Sequence, residues 1–152
     1  MPTTASSIEE LHGLVGRDLG WSDWHVVDQA QVDLFADATG DHQWIHVDPE
    51  RAAAGPFGGT ILHGYLTLSL VPSILHEVVR VEGFKFGVNY GCNKVRFPSP
   101  VKVGSKLRLG ATIGSVEDVG AGAVQVVLDV TIETEGSEKP ALVAQVVYRY
   151  SF

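Results

Sequence analysis

The chain has 152 residues, 45% apolar and 19% charged, a globular composition long enough to bury a core without disulfide or metal staples. With 11 basic against 18 acidic residues its formal charge is -7, which argues against broad contact with nucleic acid or an anionic membrane, because both need a positive surface. One cysteine, Cys92, excludes an intramolecular disulfide framework and any multi-cysteine metal cluster, and it points to a reducing, cytoplasmic setting.

One domain over residues 1–152 is expected, with no internal repeat or linker. The opening segment, MPTTASSIEELHG, lacks a basic region followed by an apolar run, so no secretory signal is expected. A short helix is expected from Ser7 to Val15 and a strand from Trp21 to Val27. Asp28 then reads as a helix N-cap with Gln31 three residues on. Val32, Phe35, Ala36 and Thr39 follow at helical spacing, and Gly40 is placed to end that helix. Asp48-Pro49 restarts a turn over Glu50 to Ala54, and Gly55 to Gly59 is a loop.

Thr60 to about Arg80 reads as the longest helix, apolar nearly all round and therefore enclosed, with Pro72 kinking it. Its most apolar part, Ile61 to Leu75, is shorter than the ~20 residues a membrane span needs and carries His63, Ser69, Pro72 and Ser73. Beyond residue 83 the pattern turns to strands: Phe84–Tyr90, Asn93–Phe97, Lys106–Val116, Ala123–Thr134 and Leu142–Phe152, with Asp118 to Gly122 as a turn. Helices followed by strands indicate an α+β domain, an antiparallel sheet wrapped around one long central helix.

Polar functional groups are densest in Thr39-Gly40-Asp41-His42-Gln43-Trp44-Ile45-His46, between a helix end and a loop. A carboxylate beside an imidazole can activate a water, the histidine cycling between base and acid near neutral pH. Spacing alone favours the structural alternative, a capping Asp41 and a surface His46. His63-Gly64 lies at the expected long helix, where unpaired N–H groups and a missing side chain suit an oxyanion; close packing explains Gly64 equally well. His63 itself reads as structural. Along Asn93-Lys94-Val95-Arg96-Phe97, Val95 and Phe97 are expected to face the core, and Lys94 and Arg96 the outside. There the two cations form either a solvated face or a rim for coenzyme phosphates.

Other motifs fail. His42 and His46 are four apart, but no Glu follows His42 and no third ligand is evident, so no metal site is expected. Gly55 to Gly59 lacks the Lys-Ser/Thr pair of a phosphate loop, and Gly120-Ala121-Gly122 is a turn between strands. Cys92 has no flanking histidine and reads as a buried thiol.

The segment Phe35-Ala36-Asp37-Ala38-Thr39-Gly40-Asp41-His42-Gln43-Trp44-Ile45-His46 resembles the signature of MaoC-like dehydratases, the (R)-specific enoyl-CoA hydratases. Phe57 to Gly64 and Asn93 to Val101 resemble two further segments of that family in the same order, with the nodulation-protein-N-like branch nearest. The resemblance implies a hot-dog fold, usually paired as a homodimer, with no cofactor beyond the coenzyme A or acyl carrier protein of the substrate. It implies that Asp41 and His46 hold the catalytic water and that the Gly64 N–H meets the thioester oxygen. His63, Asn93, Lys94 and Arg96 are the further candidates for substrate contact. The implied reaction is reversible hydration of a trans-2-enoyl thioester to the (3R)-3-hydroxyacyl product. Gln43 and Trp44 depart from the family's usual Asn and Pro, which frees φ and puts a larger side chain near the expected acyl pocket.

Two other activities are compatible with the same fold. A hot-dog thioesterase usually carries a carboxylate on its central helix, where this chain has none before Glu77. A non-catalytic acyl-thioester-binding subunit generally loses the Asp or His that this chain keeps.

Overall fold

The computed structural model describes residues 1–152. In chain order its elements are β1 (Thr3–Ala5), α1 (Ile8–Gly13), β2 (Asp18–Trp21), β3 (His25–Val26), α2 (Gln29–Thr39), α3 (Trp44–Val47) and α4 (Pro49–Ala53). There follow α5 (Gly64–Ser69), α6 (Val71–Leu75), β4 (Val79–Val81), β5 (Phe86–Arg96), β6 (Lys106–Gly120), β7 (Ala123–Thr134) and β8 (Leu142–Ser151).

The main sheet runs β2-β6-β7-β8-β5, every pairing antiparallel, with β3 also on β6. Along β7 the inward residues Val124, Val126, Leu128, Val130 and Ile132 are all buried, the period-two pattern of a sheet with one face on a core. Leu62, Leu66, Val71, Ile74 and Leu75 join that core from the α5–α6 segment, so the sheet curls around it as expected. The β6–β7 hairpin closes through Ala121 and Gly122, both at positive φ (56° and 73°), the backbone of a type I′ turn whose twist suits long paired strands.

Local chemistry explains the helix ends. The Asp28 carboxylate accepts from the Gln31 N–H and starts α2, and Gly40, at φ 82°, ends it in a left-handed cap. Asp48 caps α4 through the Arg51 N–H, with Pro49 in the first turn.

The expected long helix is corrected. It begins at Gly64 rather than Thr60, breaks at Leu70, where Pro72 lacks the N–H that would continue the ladder, and stops at Leu75. The end of that stretch becomes β4, which pairs in parallel with β1. The expected Trp21–Val27 strand divides into β2 and β3, while the two strands expected between Phe84 and Phe97 merge into β5 with two register shifts. Cys92 is exposed rather than buried, because β5 is the sheet edge and only Val95 along it is partly covered. No helix is long and apolar enough to cross a membrane.

Candidate active site

The left-handed turn at Gly40 swings the chain off α2 and delivers Asp41 to its end. One Asp41 carboxylate oxygen then accepts from the Gln43 N–H at 3.3 Å, an Asx-type turn that fixes the side chain. Asp41 stays exposed, whereas His46, five residues on in α3, is only 7% exposed.

The His46 Nδ1 lies 2.7 Å from the carbonyl oxygen of Ile61. A carbonyl only accepts, so Nδ1 carries the proton and the Nε2 lone pair is left free. Burial pushes the His46 pKa below the ordinary 6.5; the Ile61 bond and the Asp41 charge oppose that, and His63 reinforces it. The result is a neutral imidazole with one fixed tautomer, the form a general base needs.

His63 is 3% exposed and packs face to face on His46, with ring centroids 3.9 Å apart and planes 25° apart. Its Nε2–H donates to the Asp41 carbonyl at 3.0 Å, and Phe35 from α2 closes its other side at 4.9 Å. His63 therefore ties the backbone of Asp41 to the start of α5. Its Nδ1 is buried without a hydrogen-bond partner.

The Asp41 carboxylate and one nitrogen from each of His46 and His63 lie within 4.8 Å of one another. A divalent ion would draw on such donors, but the imidazoles are stacked. With centroids 3.9 Å apart and planes 25° apart the two rings present faces to each other, whereas a tetrahedral site needs both nitrogens about 2.0–2.1 Å from one point. His42 turns away from the cluster to Asp37, at 2.9 Å, and that bond raises its pKa; it joins no histidine pair with His46.

Two clefts meet at this point. One, of about 350 Å³, is lined by Phe35, Thr39, Asp41, His46, His63, Gly64 and Tyr65. The other, of about 320 Å³, is mostly apolar, with Phe57, Ile61, Leu62, Phe97 and Val101 in its wall. His46 and Gly64 belong to both, so the imidazole and the first residue of α5 stand where the cleft that holds Asp41 adjoins the one walled by Phe57 and Phe97. The Leu66 and Thr67 N–H groups both donate to the His63 carbonyl, which leaves those of Gly64 and Tyr65 without an intrahelical partner, and the His63 side chain does not cap them.

Asp41, His46, His63 and Gly64 thus come together. Asn93, Lys94 and Arg96 do not line either cleft; all three are exposed on β5, Asn93 bonded to Gln145 and Arg96 to the Val95 carbonyl. Phe97 was expected to face the core and instead is 41% exposed, its ring 3.1 Å from where a side chain on Gly64 would begin. Glu77 is engaged elsewhere, 2.9 Å from the His25 Nε2 and accepting from the Asp23 N–H.

Trp44 also differs from expectation. Its ring lies 3.0 Å from where a side chain on Gly55 would begin, and Arg51 sits over it at 4.4 Å. It packs against α4 and leaves both clefts clear. Gln43, at φ -57° and ψ 137°, has the extended backbone that precedes a proline, so the loop keeps that geometry without one.

The MaoC like domain family matches residues 10–135. A Mycobacterium tuberculosis protein named 3-hydroxyacyl-thioester dehydratase Z is 55% identical over 147 residues, covering 97% of each chain. Nodulation protein N of Rhizobium leguminosarum bv. viciae is 46% identical over 140 residues, covering 91% of this chain and 87% of the other. Among solved structures, an R-hydratase of Pseudomonas aeruginosa aligns with TM-score 0.72 at 21% identity, covering 95% of this chain and 85% of its own. An (R)-hydratase of A. caviae aligns with TM-score 0.68 at 24% identity, covering 88% and 94%. Both share the hot-dog fold.

Proposed function

The chain belongs to the MaoC like domain family, and we propose that it is an (R)-specific enoyl-thioester hydratase, a hydro-lyase that reversibly adds water to a trans-2-enoyl thioester. The observation that carries this reading is His46: buried, fixed in one tautomer by Ile61, shifted toward its neutral form, and beside the Asp41 carboxylate. The dehydratase relative at 55% identity over almost the whole of both chains supports the same reaction class.

In this mechanism the thioester carbonyl takes the Gly64 N–H, which draws electron density from C3. Asp41 and the His46 Nε2 hold one water. His46 takes a proton as the water oxygen bonds to C3, and a proton is returned to C2, so the elements of water add across the double bond. The acyl chain extends into the cleft walled by Phe57 and Phe97. Coenzyme A or acyl carrier protein enters only as part of the substrate, with Asn93, Lys94 and Arg96 as outer contacts.

We assign the protomer one domain, a cytoplasmic setting and a homodimeric state. The unpaired edge of β5, 11 residues long with Phe86, Val88 and Tyr90 exposed, supports the pairing. No observation favours thioester hydrolysis, since Glu77 lines neither cleft. The reading is tested by following loss of the conjugated enoyl absorbance with crotonyl-CoA and a medium-chain enoyl-CoA, and by chiral analysis of the product.

A further inference from the structure

The carbonyl of Ile61 that orients His46 sits on a loop residue, and a loop is not intrinsically rigid. Two groups fix it. The Ile61 N–H donates to the Ile45 carbonyl at 3.0 Å, which ties the loop to α3. One residue earlier, Thr60, only 8% exposed, donates its hydroxyl to Gln29 Oε1 at 2.6 Å. The Gln29 amide then turns back: one Nε2–H donates to the main-chain carbonyl of His46 itself at 2.7 Å, the other to Asp33 at 3.0 Å. Because the His46 carbonyl can only accept, the amide has one orientation, nitrogen toward His46 and oxygen toward Thr60. A closed circuit results, from the His46 ring through Ile61, Thr60 and Gln29 to the His46 backbone.

We propose that Gln29 is a positioning residue for His46, holding the imidazole and the carbonyl that selects its tautomer in one fixed relation. Gln29 lines neither cleft and touches no substrate; it acts through His46 and Thr60. Its kinetic consequence rests on the hydratase reading, while its effect on the His46 ring does not.

Gln29→Glu keeps the shape but turns an acceptor toward the His46 carbonyl, which breaks the circuit. Misplacing a catalytic group by about 1 Å can cost on the order of 100-fold, so kcat is expected to fall by roughly 10- to 100-fold while KM moves less than about threefold. Nitrogen-15 spectra taken above the His46 titration are expected to show the wild-type ring as one Nδ1–H tautomer and the variant as a mixture. Thr60→Val, which breaks only the outer bond, should move both readouts in the same direction by less. Asp33→Ala, which removes only the helix-side partner of Gln29, should leave the ring signals unchanged.

Folded Gln29→Glu with wild-type kcat and an unaltered single tautomer would overturn the assignment. If that variant does not fold, unaltered ring signals in Thr60→Val overturn it equally. A wild-type protein that hydrates no enoyl thioester would defeat the hydratase reading instead, and the ring signals would still decide the role of Gln29.

Discussion

The 2.7 Å bond from His46 Nδ1 to the Ile61 carbonyl decides which nitrogen of the imidazole is available to a water. It leaves Nε2 as the base and, with burial, keeps the ring neutral at physiological pH. If this base and Asp41 share the water, losing either is severe. General acid–base help is worth about 10²–10⁴-fold, so His46→Gln and Asp41→Asn should each lower kcat by at least about 100-fold in folded protein. Steady-state kinetics on an enoyl-CoA substrate check this; less than a tenfold loss in both would remove the pair from the chemistry.

The pH dependence has a definite sign. Burial, the largest influence on His46, disfavours the imidazolium, so the folded pKa lies below 6.5. Activity should therefore rise with pH through a point below the value of free imidazole and be level by neutrality. The same shift means that folding stability contributed by His46 is present above pH 6.5 and is lost as pH falls through the folded pKa. A titration of the His46 ring by NMR with a midpoint at or above 6.5 would contradict both statements.

A side chain on Gly64 is expected to harm turnover far more than folding. A Cβ there would stand 3.1 Å from the Phe97 ring, in a position that opens on both clefts. If its N–H also meets the thioester oxygen, disturbing it forfeits part of an interaction worth roughly 10²–10³-fold. Gly64→Ala should lower kcat by more than about tenfold with its thermal midpoint nearly unchanged. Wild-type turnover in that variant would count against the oxyanion role.

Trp44 is a structural device of this chain. Its half-buried indole packs on Gly55 and beneath Arg51, where the family usually has proline. Trp44→Ala should cost about 1–2 kcal/mol from lost apolar contact, a lowering of the thermal midpoint by roughly 2–8 °C. Trp44→Pro should keep kcat, because Gln43 already has the backbone that proline requires. Calorimetry and kinetics on the two variants separate packing from catalysis.

Pairing through β5 predicts a dimer that charge can break. Val88 and Tyr90 are exposed on the edge strand. Placing lysine at both should give a monomer by light scattering at concentrations where the wild type is dimeric. A wild-type monomer across a dilution series would overturn the pairing.

The motifs carried much of this site. Asp41 and His46 stand out as a carboxylate and an imidazole after a helix-ending glycine, and Gly64 stands at the mouth of the apolar segment. What orients them was not legible, because Ile61 contributes a main-chain carbonyl, which no side-chain pattern announces. Gln29, the first residue of α2 behind the Asp28 cap, belongs to no motif that marks its role. The aromatic at the head of the signature, Phe35, gave a usable signal, since it closes over His63. In the fold, the strands of β6 to β8 followed from alternation, while β1 and β4 did not, because three-residue strands paired across the chain leave too short a pattern. The apolar run overextends the expected helix because it continues past Pro72 as far as Val79, the buried first residue of β4.

The most direct test is incubation of the purified protein with crotonyl-CoA and with a medium-chain enoyl-CoA, following the conjugated absorbance and resolving the product on a chiral column. Rapid loss with at least one substrate, giving the (3R)-hydroxyacyl product and no free thiol, is the expected result. Free thiol release, a (3S) product, or binding of both substrates without turnover would contradict the assignment of Asp41 and His46 as the hydrating pair.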